Sequence, residues 1–234
     1  EDIMPLTKPL LSSLFLGLFI PMAMAVDTIP TEIIQVGTFH KGEVPNVAGR
    51  NWFALMVNDE RAELKTAAPT IKTVFDGIMD DESNKASYSG KLVEMKGPAP
   101  FLIIRREGLK TGPIKQASIA LADSNQLISF DNTKYTVQHQ CKKRAEGEEF
   151  QQCKVYLLGN GIQQWLGDTL ENGDSDFTDT ISISWAGDLD RDGKLDLVME
   201  KSRYNNADTV LLLSSIAKPG KHVHEVAKLS RQGC

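Results

Sequence analysis

The chain predicts a mostly β protein made of antiparallel sheets, arranged as a sandwich or as part of a propeller. Two patterns carry that expectation. Short apolar runs recur along the sequence, each bounded by Gly, Pro, Asn or Asp, which is the length and punctuation of strands. Toward the C-terminus the polarity alternates with period two, as Ile181, Ile183 and Trp185 interleave with Ser182, Ser184 and Ala186. Alternate residues of a strand point to opposite faces, so the two isoleucines and Trp185 are expected to share one buried face.

In chain order the expected strands cover residues 32–36, 52–57, 70–75, 92–95, 101–105, 117–121, 127–130, 135–141, 153–158, 180–185, 195–200, 209–213 and 222–229. The stretch 58–67 is ambiguous, because Asn58 is placed to cap a short helix whose apolar side would be narrow. Gly97-Pro98-Ala99-Pro100 interrupts pairing and marks one candidate boundary within residues 26–234, and residues 172–176 mark another. Beyond residue 200 the chain reads as a meander, with turns at 204–208 and at Lys218-Pro219-Gly220-Lys221.

The motif with the most chemical content lies between two of these strands. Gly187-Asp188-Leu189-Asp190-Arg191-Asp192-Gly193-Lys194-Leu195-Asp196 places four carboxylates around one glycine. Like charges so close raise one another's free energy, and Arg191 and Lys194 are too few to neutralise them. A hard divalent cation can. Calcium takes six to eight oxygen ligands, and the spacing offers the side chains of Asp188, Asp190, Asp192 and Asp196 with the backbone carbonyl of Lys194. Gly193 falls where the chain must turn back around the ion. An Asp/Gly surface turn is the plainer account, but a turn has no need of evenly spaced acids. An EF-hand is disfavoured because Met199 stands where its bidentate glutamate belongs and because strands, not helices, flank the loop.

The strand–loop–strand pattern, from Trp185 through the acids to Val198, resembles the calcium loops of FG-GAP and VCBS-type repeats of integrin-like propellers. That resemblance implies a calcium site at Asp188, Asp190, Asp192, Asp196 and the Lys194 carbonyl. It departs from the family pattern in having one good copy, since Asn172-Gly173-Asp174-Ser175-Asp176 is acidic without the spacing. A propeller repeats its unit several times.

Residues 1–25 read as a signal peptide, with Lys8 ahead of an apolar stretch at 10–20 and an Ala23-Met24-Ala25 cleavage site. The apolar stretch falls short of the ~20 residues that span a bilayer, so no membrane span is expected after processing. The expected location is periplasmic or secreted, where calcium is plentiful enough to keep a weak site filled. Cys141 and Cys153 frame a charged linker between two strand patterns and are expected to form a disulfide in that oxidising compartment. Cys234 is left over, free or as an alternative partner. Processing would move the net charge from −5 to −4, and no basic run with interleaved aromatics suggests nucleic acid.

Other constellations carry less. His222 and His224 alternate on an expected strand, but a zinc site needs more ligands; His40 and His139 are isolated. Asp168, Glu171, Asp174, Asp176 and Asp179 could hold a glycosidase pair, against the simpler account of a solvated acidic loop. Trp52, Trp165 and Trp185 each sit in an apolar run, so core packing is expected rather than a sugar-stacking platform. The sequence therefore reads as an exported calcium-binding β protein with a structural ion, a binding or structural module for an unidentified protein or glycan. The alternative is a glycan-directed hydrolase with its acids near the calcium loop.

Overall fold

The computed structural model describes residues 30–49, 51–58, 61–143, 150–171 and 179–233. The expected signal segment 1–25, the candidate boundary at 172–176 with Asp174 and Asp176, and Cys234 lie outside the described residues. The regular structure of the described residues is almost entirely strand, with one short 3-10 turn at Lys85–Ser87 and no α-helix among them. In order they are β1 (Glu32–Ile34), β2 (Gly37–Phe39), β3 (Trp52–Val57), β4 (Ala62–Ala67), β5 (Thr70–Val74), β6 (Gly90–Glu94), β7 (Leu102–Arg105), β8 (Gly112–Ile114), β9 (Ser118–Ala122), β10 (Asn125–Phe130), β11 (Thr133–Cys141), β12 (Gln151–Gly159), β13 (Ile162–Glu171), β14 (Thr180–Gly187), β15 (Asp196–Arg203), β16 (Asn206–Leu213) and β17 (His224–Gln232).

They pair into four antiparallel sheets. The N-terminal half supplies β1-β7-β3-β4-β8 and the small β2-β6-β5, and the C-terminal half supplies β13-β12-β11-β10-β9 and β14-β15-β16-β17. Two apolar cores explain how they stack. One joins Ile34, Leu55, Leu64 and Ile103 of the N-terminal strands to Trp185, Val198, Leu211 and Leu229. The other joins Ile128, Val137, Val155 and Leu157 to Ile183, Leu197, Met199 and Val210. The β14–β17 sheet thus lies between two layers with apolar side chains on both faces, and the run Val210-Leu211-Leu212-Leu213 is buried throughout for that reason. Burying one such side chain contributes about 1.5–3 kcal/mol.

The sheet also corrects the expected placement of Trp185. Ile183 pairs with Met199 and Trp185 with Val198, so Ser184 is an extra residue on β14. This bulge turns Trp185 to the opposite face, where it is buried in the N-terminal core while Ile181 and Ile183 enter the other. A strict period-two reading could not detect it.

Other expectations are corrected similarly. Residues 62–67 form a strand, not a helix: the Asn58 N–H donates to the Arg61 carbonyl at 3.0 Å, and the Asn58 side-chain oxygen accepts the Arg61 N–H at 2.9 Å just before β4. Ala62 and Leu64, both buried, then follow with period two. β13, the longest strand, was not among the expected strands, nor were β2 and β8. The turn after β15 is shorter than 204–208, because pairing resumes at Asn206 opposite Arg203. His222 precedes β17 and lies outside the strand that His224 begins. The Lys218–Lys221 turn is closed by the Lys221 N–H donating to the Lys218 carbonyl at 3.0 Å.

Candidate metal centre

The acidic loop joins β14 to β15, the first two strands of the middle sheet. Two leucines root it. Leu189 is fully buried in the N-terminal core and Leu195 is buried in the other, so the segment between them is pinned to both layers. Gly187 makes the close approach that starts the loop, because a Cβ there would stand 2.4 Å from the Lys115 carbonyl oxygen and 2.6 Å from the Trp185 ring. The Asp188 N–H donates to that same carbonyl at 2.9 Å. Gly193 carries the turn at φ +80°, and Arg191 takes φ +62°, a strained choice for a side-chain-bearing residue.

Arg191 explains why the loop's cations do not balance its acids. Its guanidinium turns away and donates to the carbonyls of Lys110, Thr111, Gly112 and Pro113 at 2.7–3.3 Å. Lys194 is exposed and its Nζ stands 3.9 Å from Asp192. The acids face one another instead. One carboxylate oxygen from each of Asp188, Asp190 and Asp196 falls within a group whose members all lie within 4.8 Å of each other.

The surroundings of each carboxylate differ. Asp196 is completely buried; its Oδ2 accepts the Leu189 N–H at 2.8 Å, and its Oδ1 accepts the backbone N–H and hydroxyl of Ser214, both at 2.8 Å. Burial pushes its carboxyl up to about 7 against those hydrogen bonds, with the Asp190 charge adding to the rise. Asp188 is also raised, first by burial and then by the charges of Asp192 and Asp190, while the Gly193 N–H donating to its Oδ2 at 3.1 Å works the other way. The Oδ1 atoms of Asp188 and Asp190 are buried with no hydrogen-bond partner. A buried charged oxygen left unsatisfied costs more than the ~1–3 kcal/mol of a neutral group. Two carboxylates that each keep an unpartnered buried oxygen, grouped with a third carboxylate, make a donor set suited to a hard oxygen-seeking cation.

Asp192 stands outside that close group. It accepts from the Lys194 N–H at 2.9 Å and from the Ser214 hydroxyl at 3.2 Å. Ser215 donates its hydroxyl to Asp190. Ser214 and Ser215 follow β16, eighteen or more residues beyond the acids they hold, and sequence reasoning missed them. The only signal was a Ser-Ser pair at the end of a buried run, and its meaning depends on β15–β16 register.

Elsewhere, the three acids weighed as hydrolase candidates that lie among the described residues each have a partner. Asp168 accepts the Trp165 indole N–H at 3.1 Å, Glu171 lies 3.0 Å from His139 Nδ1, and Asp179 accepts from Arg203 at 3.2 Å. Cys141 and Cys153 pair directly across β11 and β12 and are joined by a disulfide, Cα–Cα 3.9 Å. His222 N–H donates to the Gln164 side-chain oxygen at 2.7 Å, and the ring packs edge-on to Tyr135. No helix among the described residues is long and apolar enough to cross a membrane. No family model, curated protein or solved structure matches this chain.

Proposed function

We propose that this chain is an exported calcium-binding β protein whose ion is structural, and that it works as a binding or structural module in the periplasm or outside the cell. The observation that carries the reading is the pair of buried, unpartnered oxygens on Asp188 and Asp190 beside the buried Asp196. Calcium would take those oxygens as ligands, with Asp192, the Lys194 carbonyl and water available to complete a shell of six to eight. The resemblance to FG-GAP and VCBS-type loops supports the same ion. The disulfide favours an oxidising compartment, which is also where calcium is abundant.

A structural role follows from where the loop sits. It holds Leu189 in one core, Leu195 in the other, and Arg191 against the carbonyls that lead into β8. An ion that relieves repulsion inside this loop would fasten three layers at one point. The partners held by Asp168, Glu171 and Asp179 favour a module over a hydrolase. Thermal melting of the purified protein tests the proposal. EGTA should lower the melting temperature, millimolar calcium should restore it, and equal magnesium should restore less, because magnesium gives up its water shell reluctantly. A melting curve indifferent to EGTA sinks the reading.

A further inference from the structure

The β13-β12-β11-β10-β9 sheet gives one face to a core, no other sheet among the described residues packs on its opposite face, and a bulge places an aromatic there. Val155 pairs with Gly167 whereas Tyr156 pairs with Trp165, so Leu166 is an extra residue on β13. Leu166 and Val155 enter the core, and Trp165 turns outward beside Tyr156. This corrects the expectation of a buried Trp165: its side chain is 52% exposed, against 2% for each of the other two tryptophans. The indole N–H donates to Asp168 Oδ1 at 3.1 Å, which fixes the ring's orientation.

The pairing registers lay out the rest of this face. Gln138, Tyr156 and Trp165 form one row across three strands, and Thr136, Leu158 and Gln163 form the next. None of these six is buried. Adjacent strands are about 4.8 Å apart, so each row is a strip about 10 Å long.

The chemistry of the strip selects a ligand class. The exposed Trp165 and the half-buried Tyr156 offer large apolar faces on stiff side chains, which suit the C–H-bearing face of a sugar ring and lose little entropy when covered. Their neighbours are carboxamides and a hydroxyl, uncharged groups that match ring hydroxyls. The charges of the adjoining row, Lys154 and Asp168, are paired in register and of opposite sign, and Lys134 stands beyond the other row, so the two rows themselves carry no charge. Each row mixes aromatic or aliphatic groups with amides, unlike the apolar centre of a protein interface.

We propose that this outer sheet face is a platform for a neutral oligosaccharide, on which Trp165 and Tyr156 stack against sugar rings while Gln138 and Gln163 hydrogen-bond their hydroxyls. The proposal deepens the binding-module reading and rests on it. The test is acrylamide quenching of tryptophan emission in calcium-saturated protein, titrated with cellohexaose, chitohexaose and xylohexaose. Because Trp52 and Trp185 are shielded, the quenchable signal belongs to Trp165. At least one sugar should protect it, and calorimetric titration of that sugar, which does not rely on Trp165 emission, should show Trp165→Ala and Tyr156→Ala each binding about tenfold more weakly with unchanged melting temperatures. Protection by none of the three, or binding undiminished in Trp165→Ala, overturns the platform. The melting response to EGTA in the same samples reads the ion site separately: sugar binding lost with that response intact removes the platform alone, and the reverse removes the ion site alone.

Discussion

Ser214 donates both its backbone N–H and its hydroxyl to one oxygen of Asp196, each at 2.8 Å, across eighteen residues of sequence. With the Leu189 N–H on the other oxygen, the fully buried Asp196 is held by three donors from two segments. Its carboxylate is therefore fixed before any ion arrives, and the loop's geometry is set as much by the end of β16 as by the loop itself.

Ser214→Ala removes the hydroxyl from Asp196 and Asp192 but keeps the backbone donor. Losing a hydrogen bond to a buried charged group should cost about 1.5–3 kcal/mol of stability. Denaturant unfolding in calcium checks this, and calcium affinity should fall in the same variant. An unchanged midpoint would mean that the hydroxyl contributes nothing to holding the carboxylate.

On the proposed calcium site, the Asp196 carboxyl should give the calcium response a pH dependence. Its folded value of about 7 lies above the ordinary 3.8, so without ion the folded state holds a proton that the unfolded state has released. That contribution to stability is fully present below 3.8 and is lost as pH rises through about 7. Calcium needs the deprotonated form, so the rise in melting temperature on adding calcium should be large at pH 8 and shrink toward pH 5. Melting curves across that range, with and without EGTA, measure it. A calcium increment that is flat with pH would contradict the assignment of Asp196 as a ligand.

A titrating histidine–aspartate pair lies just beyond the ends of β2 and β5. His40 Nδ1 and Asp76 Oδ2 lie 2.6 Å apart, and Asp76 also accepts the N–H groups of Ile78 and Met79. The hydrogen bond with Asp76 raises His40 above 6.5, and the same bond with His40 lowers Asp76 below 3.8. The histidine's contribution is complete below pH 6.5 and lost as pH rises through its raised value; the aspartate's is complete above pH 3.8 and lost as pH falls through its lowered value. The stability gap between the wild type and His40→Gln should thus be widest near pH 5 to 6 and narrow by pH 9. A gap independent of pH would show that the pair is held by shape rather than charge.

Much of this architecture is readable from the chain, and the failures share one cause. The β class, the strand–loop–strand unit and the Cys141–Cys153 pairing follow from local signals, namely apolar runs, acid spacing and flanking strand patterns. The faces of Trp165 and Trp185 do not, because each follows a bulge that only the partner strand defines. Sequence shows the period within a strand, whereas a bulge is a property of two strands. β13 escaped notice for a related reason. Its inward residues include Gln164 and Thr169, buried polar groups that break the apolar pattern, and Gln164 is satisfied only by the distant chain at His222 and Val223. Ser214 and Ser215 were equally silent, since their role depends on the strand pairing that brings them to the loop.

The proposed site holds one ion between the acids Asp188, Asp190 and Asp196. Calorimetric titration of calcium into chelator-stripped protein tests this directly, using the wild type and Asp190→Asn. One calcium should bind per chain, and the variant should lose at least tenfold in affinity, because an amide replaces one of the buried charged oxygens. No binding to the wild type, or equal binding by the variant, would contradict it.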